Sequence, residues 1–267
     1  MRASARRRGF LAPVLWLPAG LAIALLGLPL IALAVRTPWG QLPALLSTSV
    51  VAQALGLSLL TATLSTGLSL LLGIPLAVVL ARSVEWPLVP RRLLRALVTV
   101  PLVLPPVVGG VALLLLLGRR GMIGQFLPFQ IPFSTAAVVI AQTFVAMPFL
   151  VFAVEGALRA SDRRFEIAAA TLGASRWRVF CRITLPLIAP GVSAGALLCF
   201  CRALGEFGAT ITFAGSFPGV TQTLPITIYL QLQTNPDAAI ALSLVLLAIS
   251  VAVLVTLRDR WVPGLTA

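Results

Sequence analysis

The chain has 267 residues, 59% of them hydrophobic and 10% charged, with a mean hydropathy of +1.05; soluble domains average about 25% charged residues, so an ordinary globular fold is excluded and lipid must cover part of the surface. The net charge is +13 at pH 7 and every one of the 20 basic residues is arginine; with no lysine or histidine, a phosphate-binding GxxxxGK[ST] loop, a Ser-His-Asp triad and a histidine metal site are all excluded. The seven acids (Glu85, Glu155, Asp162, Glu166, Glu206, Asp237, Asp259) are scattered without a close carboxylate pair, so the chain is not expected to be an enzyme or to hold a metal or cofactor of its own.

A membrane helix needs about 20 mostly apolar residues. The first candidate covers 10–35, uncharged, behind a short tail (1–9) that carries Arg2, Arg6, Arg7 and Arg8. A cleaved signal peptide has an apolar region of only about 7–15 residues. This run is far longer and has no small-x-small site, so it reads as a retained span. A loop rich in Ser, Thr and Gln follows Arg36, then a second span at 55–81. The third, 96–117, opens on Pro101, Pro105 and Pro106. The fourth, 134–155, follows a turn-rich segment at 121–132. The fifth covers 186–213 and the sixth 238–257, ahead of a tail at 258–267. The expectation is an all-α membrane protein, one domain over 10–257 with six transmembrane helices.

Six spans put both termini on one side, and the arginines choose it. Arg2, Arg6, Arg7, Arg8, Arg82, Arg91, Arg92, Arg95, Arg159, Arg163, Arg164, Arg176, Arg178, Arg182, Arg258 and Arg260 fall on that side, against Arg36, Arg119 and Arg120 on the other. Both termini are therefore expected in the cytoplasm. The arginines flank spans and form no single stripe, so the positive charge reflects topology and no nucleic-acid partner is expected.

The longest cytoplasmic loop, 157–185, and the proline after it contain SDRRFEIAAATLGASRWRVFCRITLP at 161–186. Ser161 or Asp162 can cap a helix and Glu166 suits its first turn. Phe165, Ala168, Ala169 and Leu172 recur at helical spacing, and Gly173 can close the helix in a left-handed conformation. Ser175 can start a second helix, with Trp177, Phe180 and Cys181 on one face and Arg178 and Arg182 on another, ending at Pro186. From composition alone this is an interfacial hairpin resting on anionic headgroups. The spacing of Gly173, Ile183, Leu185 and Pro186 resembles the "EAA" loop of ABC-importer permeases, G-x9-I-x-LP. The family's usual Glu, six residues before the Gly, is Ile167 here, and Glu166 stands one position earlier. The resemblance implies a type I importer permease fold and a coupling loop for a separate ATPase, built from Asp162, Glu166, Ala168, Ala169, Gly173, Ala174, Arg176, Ile183, Leu185 and Pro186.

The fifth span and its exit read RALGEFGATITFAG at 202–215 and PGVTQTLP at 218–225. With PLVLPPVVGG at 101–110 and LGRRGMIG at 117–124, they resemble molybdate-type permeases. Sulfate and thiosulfate permeases share the GE[FY]G piece and remain an alternative. From the residues themselves, Arg202 and Glu206 are four apart and share a helical face. Charges inside a membrane usually face protein or water. They read either as part of a translocation path with Gly205, Gly208, Thr210 and Thr212, or as a self-neutralised structural pair. The two threonines could equally bond their own backbone. Arg119 and Arg120 read as an external docking site or as a solvated turn. Thr223 starts a stretch that could dip into the membrane and offer helix N–H groups to an anion. Cys181, Cys199 and Cys201 read as buried small hydrophobes without a disulfide, and Gly191 and Gly195 form a GxxxG pair that allows close packing.

What the resemblance implies is a multi-pass permease of a bacterial cytoplasmic membrane. It works as a homodimer with two ATPase subunits, which hold the ATP and Mg, and an extracytoplasmic molybdate-binding protein. An ATP-independent secondary transporter or channel, and a membrane scaffold without transport, are the rivals from other classes.

Overall fold

Helices account for nearly all regular structure in the computed structural model, which describes residues 15–261, with side chains to Val255. The proposed tail at 1–9, residues 262–267 of the proposed tail at 258–267 and the start of the first span lie outside the described residues. Helix α1 (Trp16–Arg36) buries none of its residues and touches mainly α12 (Pro236–Trp261). A short helix α2 (Leu42–Leu46) follows, and α3 (Ser49–Arg82) is one 34-residue rod. The stretch expected as a loop is thus largely helical, and α3 starts six residues before 55. Ser47 and Thr48 donate their hydroxyls to the carbonyls of Ala44 and Leu45, which closes the turn between the two helices without glycine.

Small residues set the packing. The buried face of α3 carries Ala54, Ser58, Ala62, Ser65, Ser69, Gly73 and Ala77 at spacings of three and four, the face that a helix presents to one neighbour. That neighbour is α6 (Thr135–Ala160), the most buried span. Ser134 caps α6 by accepting from the Ala137 N–H. On its other side α6 meets α9 (Leu185–Leu204), where a Cβ on Gly191 would lie 2.3 Å from the Ala157 methyl. Between the two helices the buried Thr143 hydroxyl donates to that of Ser65 at 3.1 Å. In hydrocarbon such groups need partners within the protein.

Two expected spans are broken. The third divides into α4 (Leu88–Val103) and α5 (Pro106–Leu117), bent by 117°. Pro105 and Pro106 are the cause: proline disfavours helical backbone in the residue before it, and Leu104 is extended. The fifth ends at Leu204. Residues Gly205–Phe207 break the helix, and α10 (Gly208–Ala214) turns to pack on α5 and α6. Then α11 (Leu224–Thr234) packs on α12 and α3. Five helices among the described residues are long and apolar enough to cross a membrane, or six if the bent α4–α5 pair counts as one.

The α5–α10 contact is close because both helices place glycine in it. A Cβ on Gly110 would come within 2.8 Å of the Ala209 carbonyl oxygen and of the Thr212 Cβ, and one on Gly208 would lie 3.0 Å from the Pro106 Cβ. Gly110→Val should therefore force the two helices apart, at a cost of about 1–3 kcal/mol typical of overpacking. Thermal unfolding of the detergent-purified protein checks this: a clear fall in the midpoint is expected, and an unchanged midpoint would mean the contact is looser than drawn.

Candidate functional site: a hairpin handle and a charged break in the fifth span

Between α6 and α9 the chain forms the helical hairpin that its pattern predicts. Helix α7 (Arg164–Thr171) starts where the Asp162 carboxylate accepts from the Arg164 N–H at 2.9 Å. The Ser161 hydroxyl instead donates back to Leu158. Gly173 takes a φ of +82°, a left-handed conformation that costs a residue with Cβ roughly 1–2 kcal/mol. The Gly173 and Ala174 N–H groups close the turn onto Ala170 and Ala169. Ser175 caps α8 (Arg176–Val179) by accepting from the Arg178 N–H.

The expected stop at Pro186 does not occur. A π-helical turn, Phe180–Thr184, joins α8 directly to α9. Proline lacks the N–H for its turn and its ring crowds the carbonyl four residues back, here Arg182; a widened turn absorbs that mismatch without ending the helix. The hairpin's second arm is therefore continuous with a span.

The Glu166 carboxylate fixes the first arm to this continuous helix. It accepts from the Thr184 hydroxyl at 2.7 Å and lies 3.9 Å from the Arg82 guanidinium at the end of α3. Around this anchor a groove of about 630 Å3 runs between hairpin and α3, lined by Pro75, Val79, Arg82, Ile167, Trp177 and Phe180. The outer face is apolar and open: Leu172 is 88% exposed and Trp177 73%. Ala168 is exposed and Ala169 and Ala174 half-buried, with Arg176 outside and Ile183 and Leu185 partly covered.

At the same end of the bundle Glu155, almost fully buried in α6, is held by Arg159 one turn on and by Arg95 from α4. Sequence reading passed over this triad. The i, i+4 spacing of Glu155 and Arg159 was a signal; Arg95, 60 residues away, gave none.

The second cluster lies at the break after α9. Arg202 and Glu206 meet at 2.7 Å, with Arg202 partly exposed and Glu206 buried. The second carboxylate oxygen of Glu206 accepts from the Ala209 N–H at 2.8 Å, so the acid also caps α10. Gly205 sits in the break with room for a Cβ, and Gly208 makes the close approach to α5. Thr212 bonds its own backbone, at Gly208, while the Thr210 hydroxyl is buried without a protein hydrogen-bond partner. Thr223, expected as an external contact, is 1% exposed. The first N–H of the helix it caps, that of Leu224, donates to the Ser58 hydroxyl of α3. That N–H is therefore not open to an anion. Arg119 and Arg120 stand in an exposed turn after α5. The three cysteines are free, with Cys199 buried.

The family described as "Binding-protein-dependent transport system inner membrane component" matches this chain over residues 73–263, the hairpin and the charged break included. The chain belongs to that family. As such a transport component it is a multi-pass protein of the inner membrane. Its relatives include the molybdenum transport system permease protein ModB of Mycobacterium tuberculosis, 54% identical over 224 residues, covering 83% of this chain and 84% of the relative. The ModB of Escherichia coli is 46% identical over 186 residues, covering 68% and 80%. The sulfate transport system permease protein CysT of Escherichia coli is 34% identical over 212 residues, covering 77% and 76%. Among solved structures, a bacterial alginate ABC transporter in complex with an alginate-bound periplasmic protein superposes with a TM-score of 0.69 at 19% identity, covering 92% of each chain. The inward-facing MetNI methionine ABC transporter gives 0.62 at 18%, covering 78% of this chain and 93% of that one. The transport component thus has the fold of type I ABC-importer permeases.

The Thr184 contact makes a prediction of its own. Thr184→Val should free the first arm of the hairpin from the continuous helix, at about 1–3 kcal/mol for a carboxylate that loses a buried partner. Hydrogen exchange should rise several-fold in residues 164–174 with the spans unchanged; equal protection would show that Glu166 does not hold the arm.

Proposed function

We propose that this chain is the permease subunit of an ATP-driven importer that moves molybdate, or the similar tetrahedral dianion tungstate, by alternating access. The observation that carries the reading is the 54% identity to a molybdenum transport permease over most of both chains, against 34% to the sulfate permease. Two copies form one path, with both termini and the hairpin in the cytoplasm. Two ATPase subunits, which bind the ATP and Mg, grip the exposed Leu172 and Trp177 face, and an extracytoplasmic oxyanion-binding protein delivers cargo. Arg119 and Arg120 lie on the face that meets that receptor, and the break that carries Arg202, Gly205, Glu206, Gly208, Thr210 and Thr212 borders the path.

The mechanism follows from the joints in the fold. ATP binding draws the ATPases together and displaces the hairpins. Because α8, the π turn and α9 are one continuous helix, the displacement passes to the end of α9 and, through the break at 205–207, to α10, which packs on α5 and α6. The path then opens outward, takes up the oxyanion and reverses after hydrolysis. This is rigid-element motion of the hinge and shear kind.

Liposomes containing the complex of permease and ATPase, given receptor and ATP, should take up labelled molybdate in the presence of excess sulfate. Uptake abolished by sulfate would transfer the assignment to sulfate, and uptake driven by an ion gradient without the ATPase would point to a secondary transporter. Gly173→Val should reduce ATPase capture in a pull-down by about tenfold, since the left-handed turn is strained for a β-branched residue by more than 1 kcal/mol. Full capture would remove the hairpin turn from the docking surface.

A further inference from the structure

Arg202 is the only arginine at the interior break of α9, and its surroundings are asymmetric. Its Nη1 group is bound by the Glu206 carboxylate at 2.7 Å, and the arginine side chain as a whole is 29% exposed against 1% for its partner; the guanidinium has five N–H donors, more than one carboxylate oxygen can take up. Glu206 is held from the other side as well. It is 1% exposed, and its second oxygen is fixed by the Ala209 N–H of α10. The carboxylate therefore belongs to the α10 backbone and cannot follow the arginine. An unpaired guanidinium binds a tetrahedral oxyanion strongly, through two charge-assisted hydrogen bonds in a plane. Such a contact inside a transport path would hold its cargo.

We infer that Glu206 is a positioning residue that keeps Arg202 half-neutralised, so that an oxyanion meets the remaining donors of the guanidinium, is guided and is released. The inference rests on the proposal that the cargo is an oxyanion that passes Arg202. It assigns the two residues unequal parts: Arg202 touches the cargo, and Glu206 sets how firmly. Because Glu206 also caps α10, movement of α10 relative to α9 changes the grip during the cycle: closed, the arginine is shared with the carboxylate, and apart, it is free to take the anion. A merely structural pair would treat the two residues alike.

The test uses the assembled complex of permease and ATPase, with labelled molybdate as the probe, and reads both equilibrium retention by the solubilised complex and receptor-fed uptake in liposomes. Glu206→Gln should raise retention about tenfold, the effect of one charge-assisted contact, while kcat for uptake falls and KM falls with it. Glu206→Asp, which keeps the charge but shortens the reach, should lie between. The double variant R202Q/E206Q should lose the extra retention without regaining uptake. Retention of E206Q equal to wild type, or wild-type uptake by the double variant, would overturn the inference. If E206Q does not assemble, Glu206→Asp decides alone: raised retention supports the role of Glu206, and unchanged retention overturns it. Wild-type complex that takes up no molybdate would instead overturn the functional proposal.

Discussion

The arrangement depends on one constraint: the helix that leaves the hairpin at Arg176 does not stop until Leu204. Pro186, Pro190 and a membrane boundary all lie on its course. The π turn at Phe180–Thr184 absorbs Pro186, α9 carries Pro190 in its interior, and its apolar sequence accommodates the boundary. The Glu166–Thr184 hydrogen bond then fastens the other arm to the same rod. A loop with flexible joints would dissipate a push, whereas a rod with one braced arm transmits it. The stiffness resides in main-chain hydrogen bonds, which at membrane depth have no water to exchange with.

The far end of that rod is a jointed region. Gly205–Phe207 interrupt the helix, Glu206 spans the gap by binding Arg202 behind it and the Ala209 N–H ahead of it, and α10 is seated in the bend of α4–α5 through Gly110 and Gly208. Packed contacts of this closeness have few intermediate states. The buried Glu155 with its two arginines braces the opposite end, where α4 meets α6. A buried carboxylate is tolerated there only because both guanidinium groups reach it.

Much of this was legible from the residues. The left-handed Gly173, the Asp162 and Ser175 caps and the meeting of Arg202 with Glu206 follow from local spacing, and local spacing is what a sequence displays. The comparisons also bear out the resemblance to ABC-importer permeases. What could not be read needed distant partners. The α4–α5 bend was marked by Pro105 and Pro106, but that α10, a hundred residues on, packs against α5 beyond it was not. Pro186 reads as the end of the hairpin's second helix, but the helix runs on through it behind a π turn. Thr223 reads as the start of an exposed half-helix, but Ser58, 166 residues away in the chain, claims the Leu224 N–H. The same distance hid Arg95 from Glu155.

The central claim, that hairpin and fifth span move as one body, can be measured by electron–electron distance spectroscopy. In a chain with Cys181, Cys199 and Cys201 replaced, spin labels at the exposed positions Leu172 and Leu198 report the two ends of the proposed lever. In the assembled complex the distance between them within one copy should stay the same whether ATP is absent or bound, while the distance between the Leu172 labels of the two copies changes. A change within one copy on ATP binding would mean that hairpin and fifth span do not move as one body, and the lever account would be wrong.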